Sequence, residues 1–381
     1  MERLMRVLTV NPGSSSLKLA VVDGGVVSAA DHVAEWDGVT RDELDDFAAA
    51  QPPVDAVSVR IVHGGRRRAP VVLDEDVLAD LQRLVPLAPV HQPRSLTLAR
   101  HARNLPAAVP VVGCFDTAFH AGLPAHAATY ALPRRWRDHY GLRRYGFHGL
   151  SLAHATRRTA EVLGRPLERL RLVCCHLGAG ASVTAVVGGA SVDTSMGFTP
   201  LEGVAMATRC GSIDPGIPLY LVREHGLAPS DVESALNVDS GLAGLSGTSG
   251  DIREVRRARA RGDPDAALAL DVYLHRLRRE IAAQAVSTVE PDAVVLTGGV
   301  AEHQPELRAE LFAESLLGVE VDADRNRGTG DRLISAQSSR TAAVLVTCQE
   351  ELELARSGES VLADPPTHAP TSSPAIGRSI R

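Results

Sequence analysis

The chain has 381 residues, 44% of them hydrophobic and 23% charged, with 40 basic residues against 46 acidic ones for a net charge of −6. That length predicts two domains of ordinary globular composition, and the negative balance argues against nucleic acid or an anionic membrane surface as partner. No apolar run approaches the roughly 18 residues that span a bilayer, and the N-terminal apolar stretch stops at Asn11-Pro12, too short for a signal peptide.

Five scattered cysteines (Cys114, Cys174, Cys175, Cys210, Cys348) contain no CxxC. They read as reduced cytosolic thiols, neither a disulfide framework nor a zinc site. Of the basic residues, 39 are Arg and one is Lys, at position 18. Arg is therefore the default cation of this chain, and the single Lys suggests a specific chemical need. Its setting, between Leu17 and Leu19, excludes a GxxxxGK[ST] phosphate loop, and protein-kinase signatures are missing as well.

In chain order, VLTVNPGSSSLKLAVVD (7–23) reads as strand, Gly/Ser turn, strand. Leu78–Leu87 has a helical pattern. LVCCHLGAGASVTAVVGG (172–189) repeats the strand–turn–strand pattern. Setting Gly13 on Gly178 puts Ala20-Val21-Val22 on Ala185-Val186-Val187 and Gly24 on Gly189, an offset of 165 throughout, read as a weak internal repeat that opens two similar domains. Asp265–Val289 is a long amphipathic helix. AVVLTGGVAE (293–302) is a third strand feeding a Gly-Gly turn, with a helix expected over Pro305–Phe312. Alternating strands and helices predict an α/β protein. The stretch 364–381, with four prolines and many Ser and Thr, reads as a disordered tail.

Gly-rich turns after strands bring backbone N–H groups close to phosphates. Three such turns, two in a repeat, favour nucleotide binding over plain tight hairpins. The first adds the hydroxyls of Ser14, Ser15 and Ser16, and strand alternation puts Ser16 and Lys18 on one face as a phosphate cradle.

The motifs VLTVNPGSSSLKLAVVD, RIVHGG (60–65), LAPVHQP (87–93), CFDTAFH (114–120), YALPRRW (130–136) and RRYGFHG (143–149) stand in this order. They continue as HLGAGAS (176–182), SVDTSMGFTPLEG (191–203), ATRCGSIDPGI (207–217), SGLAGLSG (240–247), SGDIRE (249–254) and QEELELAR (349–356). This series, over roughly residues 6 to 356, resembles the acetate and propionate kinases of the acetokinase family. The resemblance implies two duplicated α/β domains of the actin, sugar kinase and heat-shock ATPase type with an active-site cleft between them. It implies an N-terminal domain over 1–149, joined by a C-terminal helix near 349–363, and a nucleotide-binding domain over 150–348.

The activity implied is reversible, Mg2+-dependent, direct in-line phosphoryl transfer from ATP to acetate, giving acetyl phosphate and ADP, with Mn2+ as a substitute metal. A short carboxylate is already ionised at neutral pH, its pKa being about 4 to 5, so the reaction needs positioning and positive charge more than a base. By the resemblance, Asp116, His148, Arg209 and His91 are catalytic, with Asp116 in a positioning or metal-water role. Arg60 binds the substrate carboxylate, and Val62, Val90, Phe147 and Pro200 line the acyl pocket.

Nucleotide contacts fall on Ser14, Ser16, Lys18, His176, Leu177, Gly178, Ala179 and Gly180, on Asp251, Ile252 and Arg253, and on Gly299, Val300, Ala301, Glu302 and His303. Asn11 and Glu350 hold the metal directly or through water. His120 is read as structural. The family writes HLGNG, AGIGEN and TNEE where this chain has Ala179, Ala301, His303 and Gln349. The expected partners are ATP or ADP, a short-chain carboxylate and a second copy in a cytoplasmic homodimer, with neither nucleic acid nor membrane. A propionate- or butyrate-preferring kinase of the same fold and a nucleotide-binding relative with impaired turnover are the alternatives.

Overall fold

The structure, a computed structural model, describes residues 5–13, 16–106 and 108–363. Ser14 and Ser15 of the first Gly/Ser turn and the expected tail over 364–381 lie outside the described residues. The residues through His154, together with those from Gln349 on, form one compact unit, and Ala155–Cys348 form another. The division falls inside the Gly149–Leu163 helix.

The first unit is built on β1 (Arg6–Pro12), β2 (Leu17–Asp23), β3 (Val26–Val33), β4 (Ala56–Ile61), β5 (Val71–Val72) and β6 (Val111–Phe115), in the order β3-β2-β1-β4-β6-β5. The strands β1, β4 and β6 run parallel, and the others pair antiparallel. The second unit has β7 (Arg171–Leu177), β8 (Ala181–Val187), β9 (Ala190–Thr194), β10 (Ala293–Thr297), β11 (Arg332–Leu333) and β12 (Ala342–Leu345), in the order β11-β12-β10-β7-β8-β9. Read from the other edge, this is the first sheet again, with β7, β10 and β12 parallel.

The repeat is thus real, but its offset is not constant. Arg6 faces Asp23 in the first hairpin and Arg171 faces Val187 in the second, so β1 maps to β7 at 165 and β2 maps to β8 at 164. The register shift at Val21/Val22 recurs at Ala185/Val186, and the turn pair Gly24 (φ 57°) and Gly25 (φ 81°) recurs at Gly188 (φ 58°) and Gly189 (φ 84°). The second Gly-rich loop is one residue shorter, a difference that an ungapped alignment spreads along the whole segment.

The expected helices form with shifted ends. Glu75–Gln82 is capped by Asp74, whose carboxylate accepts the Val77 N–H, and Val85–Leu87 is a separate 3-10 turn around Pro86. The long helix runs Pro264–Thr288 from an Asp263 cap, and the later one covers Pro305–Leu311. No helix of the described residues is long and apolar enough to cross a membrane.

Both faces of the first sheet are covered. Leu8, Val10, Leu19, Val57, Val59 and Ile61 pack on the side of the helices that carry Leu78, Leu81, Leu96 and Ala99. The opposite face buries Val7, Val22, Ala56, Val112 and Cys114 against Leu354, Ala355 and Val361 of the Glu350–Ala363 helix.

Candidate active site

Strand alternation and register assemble the centre of the first unit. Val7 faces the C-terminal helix, so Thr9 and Asn11 do too, and Ala56 carries Ser58 and Arg60 to the same side. Cys114 does the same for Asp116, just past the end of β6. Val10 pairs with Val59, and Arg60 pairs with Cys114. Asn11, Arg60 and Asp116 therefore form a row at the carboxyl ends of three adjacent parallel strands, where open α/β sheets bind ligands. Glu350 opens the helix that covers this row.

The four side chains form one network. Arg60 donates from Nε to Asp116 Oδ1 at 3.0 Å and from Nη2 to Asp116 Oδ2 at 2.7 Å. Its Nη1 donates to Asn11 Oδ1 at 3.1 Å and to Glu350 Oε2 at 3.2 Å, while Asn11 Nδ2 donates to Glu350 Oε2 at 2.8 Å. A donor on one side and an acceptor on the other leave the Asn11 amide one orientation. Asn11, Asp116 and Glu350 are at most 6% exposed. Burial pushes the Asp116 carboxyl above its ordinary range, against the Arg60 guanidinium and the His148 N–H, which favour the charged form. Burial likewise raises Glu351, with Lys18 and Arg60 opposing it.

Arg60, expected on the substrate carboxylate, thus holds a protein carboxylate with its fork. Asn11 and Glu350, expected on the metal, hydrogen-bond each other. Two carboxylates and an amide carbonyl are hard oxygen donors and fit Mg2+, which takes few protein ligands. Among the described residues, no group of three His, Cys, Asp or Glu side chains is set to hold a metal ion.

The YGFHG turn is tied to Asp116 through its backbone. His148 has φ 61°, uncommon for a residue with a side chain. The Gly149 N–H donates to Asp116 O at 3.0 Å, and a Cβ at 149 would stand 2.1 Å from that oxygen, so only Gly allows the approach. His120 is buried, bonds Phe147 O at 2.9 Å and has its pKa pushed down by burial to about 4, as a structural histidine would.

Sequence reading passed over Gln92 and His63. The Gln92 amide accepts from the His63 N–H at 3.0 Å and donates to His63 O at 2.9 Å, joining VHQP to VHGG. His63 itself is buried with a pKa lowered by burial to about 3, and its Nδ1 accepts the Gly65 N–H at 3.0 Å. The contiguous strings around both residues were the available signal. His91 stands at the start of the Gln92–Ala102 helix, half-buried.

Of the acyl-pocket residues in this unit, Val62 and Phe147 are buried and Val90 is 40% exposed. Phe147 meets the His63 ring edge-on, with centroids 5.5 Å apart. Lys18 is exposed on β2, opposite Asn11 in register. Ser16 precedes β2 and closes the turn by accepting the Gly13 N–H at 2.7 Å, so strand alternation begins after it and does not set its face.

In the second unit, His176 and Leu177 end β7, and Gly178–Gly180 turn into β8 with the Gly178 N–H on Gly180 O at 2.9 Å. Gly298, at φ 90°, lies where a Cβ would come within 2.7 Å of Leu177 O, which brings the Gly299–His303 helix beside this turn. In that helix Ala301 is buried, Val300 is half-buried, and Glu302 Oε1 accepts the Cys348 N–H at 2.9 Å. Ala179 is exposed, and its carbonyl accepts the Ala207 N–H at 3.1 Å, which draws in the segment of Arg209.

Arg209 donates to Pro200 O at 3.1 Å, and burial lowers its pKa. Asp251 caps the Ile252–Ala260 helix and pairs with Arg253, its pKa lowered chiefly by that side chain. Two of the three expected adenosine contacts are therefore engaged with each other, and Ile252 is buried.

A sequence model described as the acetokinase family matches residues 39–356. The chain is 41% identical to an acetate kinase of Streptomyces avermitilis, covering 92% of this chain and 96% of that one. It is 38% identical to an acetate kinase of Thermotoga maritima, with 94% and 99% covered. Its structure is similar to crystal structures of acetate kinase from Porphyromonas gingivalis (TM-score 0.83, 30% identity) and propionate kinase from Francisella tularensis (TM-score 0.85, 30% identity), each covering 94% of this chain and 100% of the other.

Proposed function

The chain belongs to the acetokinase family, and we propose that it is an acetate kinase, transferring the terminal phosphoryl group of ATP to acetate and back. The observation that carries this reading is the buried Asn11–Arg60–Asp116–Glu350 network at the carboxyl ends of β1, β4 and β6. Open α/β sheets bind ligands at this edge, and a matched set of buried charges placed there suits a charged substrate.

Acetate arrives ionised, so no residue has to remove a proton, and Asp116 serves by position. It holds the Arg60 plane fixed, and a planar guanidinium in one orientation is suited to a carboxylate or a flattened phosphoryl group. His148 stands next to Asp116 through the backbone and can donate to a phosphoryl oxygen, with His91 as a second donor. Arg209, desolvated and anchored on Pro200 O, supplies a fixed positive charge. Positive charge in a dry site stabilises the developing transition-state charge far better than in water.

The Gly178–Gly180 turn and the Gly299–His303 segment are the proposed nucleotide contacts, with Arg253 exposed near the adenosine end. Mg2+, or Mn2+ in its place, would be held by Asn11, Asp116 and Glu350 and would neutralise phosphate charge. The enzyme acts as a cytoplasmic homodimer in this reading. Val62, Val90, Phe147 and Pro200 favour short acyl chains, and since one methylene is worth only about 1–3 kcal/mol, propionate is used as well.

Purified protein with ATP and acetate, assayed for acyl phosphate as the hydroxamate, tests the reading. Turnover that requires Mg2+ supports it, and no acyl phosphate from acetate, propionate or butyrate sinks it.

A further inference from the structure

A cavity of about 790 Å3 opens in the second unit at the amino ends of β7, β10 and β12, bordered by Arg171, Asp292 and Thr341. The nucleotide contacts proposed above lie at the other ends of the same strands. A seven-residue strand such as β7 puts about 20 Å between them.

The cavity's charges are one-sided. Asp292 is already answered by Arg165 Nη1 at 2.8 Å and by the Arg171 N–H at 2.8 Å. Glu290 is the other acid on the wall. Arg169, Arg171 and Arg340 also line the space, and among the described residues none of their guanidiniums lies within ion-pair distance of a carboxylate. Arg340 Nη2 donates to Leu317 O at 3.3 Å. Elsewhere in this unit Arg158, Arg256 and Arg259 each meet a carboxylate, while Arg278, Arg308, Arg325 and Arg332 bond backbone carbonyls.

The remaining wall is apolar and includes Val286, Val289 and Leu317. Val286 and Val289 are both 78% exposed. Val289 also adopts φ 71° and ψ −62° in a γ-turn closed by the Glu290 N–H on Thr288 O at 3.0 Å. That conformation is strained for a β-branched residue, and retained strain of this kind concentrates at ligand sites. Here it turns outward a valine that lines the same cavity as Arg169, Arg171 and Arg340, where burial in the core gives no reason for it.

We propose that this cavity is a second ligand site, for a small anion with an apolar arm, such as an alkyl or acyl phosphate. The volume is that of a small-molecule pocket. The guanidiniums of Arg169, Arg171 and Arg340 take the phosphate oxygens, and Val286 and Val289 take the arm. The site uses only residues of the second unit and stands whether or not the kinase reading does.

The test is calorimetric titration of the full chain, with ADP saturating, using hexyl phosphate and inorganic phosphate as probes. Hexyl phosphate should bind more tightly than inorganic phosphate. The double variant Arg169→Ala/Arg171→Ala should weaken hexyl phosphate about tenfold or more, the order expected for lost charge-assisted hydrogen bonds. Val286→Gln, at an exposed position that folding tolerates, should weaken hexyl phosphate and leave inorganic phosphate unchanged. Equal affinity for the two probes, or hexyl phosphate binding to the double variant as to the native chain, would overturn the proposal.

Discussion

The two sheets carry the same backbone and opposite chemistry at the same place. The offset of 165 carries Asn11 to His176, and the parallel registers then carry Arg60 to Thr297 and Asp116 to Cys348. The first row is a closed network of charges. The second is a half-buried imidazole, a buried hydroxyl and a half-buried thiol.

The physical difference is what covers each row. Glu350 and Asn11 complete the partners that Arg60 and Asp116 need, and buried charges persist only when so matched. The second row lies beside the Gly178–Gly180 turn and the Gly298–His303 segment, the nucleotide contacts proposed above, and no carboxylate or guanidinium stands in the row itself. Duplication preserved the register, and the neighbours decided which residues it could carry.

The sharpest break in this comparison is Arg60→Ala. Removing one partner of a buried pair costs about 3–5 kcal/mol of stability, and kcat/KM should fall at least about 100-fold if the Arg60 charge serves the transition state. Arg60→Lys keeps the charge and loses the fork, so it should recover stability more than turnover. Chemical denaturation beside steady-state kinetics reads both, and a loss below about threefold in kcat/KM for the Ala variant removes Arg60 from the mechanism.

Gly149→Ala tests the backbone half of the same unit. Its Cβ would meet Asp116 O at 2.1 Å, so Asp116 or His148 must shift. We expect a loss of about 1–3 kcal/mol, the size of an overpacking substitution, together with a kcat loss at unchanged KM for ATP.

Acid should loosen the first unit. His63 and His120 have folded pKa values lowered to about 3 and about 4, from an ordinary 6.5. The unfolded chain therefore binds more protons as pH falls, and the stability present above pH 6.5 is lost progressively down to the folded values. At pH 5.5 each histidine should cost about 1.4 kcal/mol. Denaturation midpoints between pH 7.5 and 5.5 measure this, and His120→Gln should flatten the slope. An unchanged slope in that variant would assign the acid sensitivity elsewhere.

In the second unit, Ala179→Asn restores an amide beside the Gly-rich turn. One hydrogen bond to an anionic oxygen, at about 1.5–3 kcal/mol, would raise kcat/KM for ATP about tenfold or more. An unchanged value would mean that the turn, held by Ala207 N–H on Ala179 O, has been rebuilt around alanine.

The smallest effect should come from the neutral counterpart of Arg60. Thr297 is buried and its hydroxyl has no partner among the described residues. Thr297→Val removes a buried hydroxyl that has no partner, so it should lose no stability and gain at most about 1 kcal/mol. A large loss of stability would show that the two rows are more alike than their charges suggest.

Much of this was legible in the chain itself. The strand–turn–strand repeat, the long Pro264–Thr288 helix, and the motif residues Asn11, Arg60, Asp116 and Glu350 all follow from local pattern or from contiguous strings. Where local pattern misled, the cause was local too. A loop one residue shorter broke the uniform offset, and the strand at Leu17 began one residue after the alternation argument needed it.

What tertiary structure alone decided is who meets whom. Asn11 and Glu350 are 339 residues apart and share a hydrogen bond, and nothing in either neighbourhood encodes the other. Periodicity states which face a side chain takes, because it is a property of a few consecutive dihedrals. Whether an arginine on that face reaches a substrate or a carboxylate of its own protein depends on strand order and on the helix laid across it. Those are set by long-range packing of the whole core, and so the roles of Arg60, Gln92 and Gly149 emerged only in the folded chain.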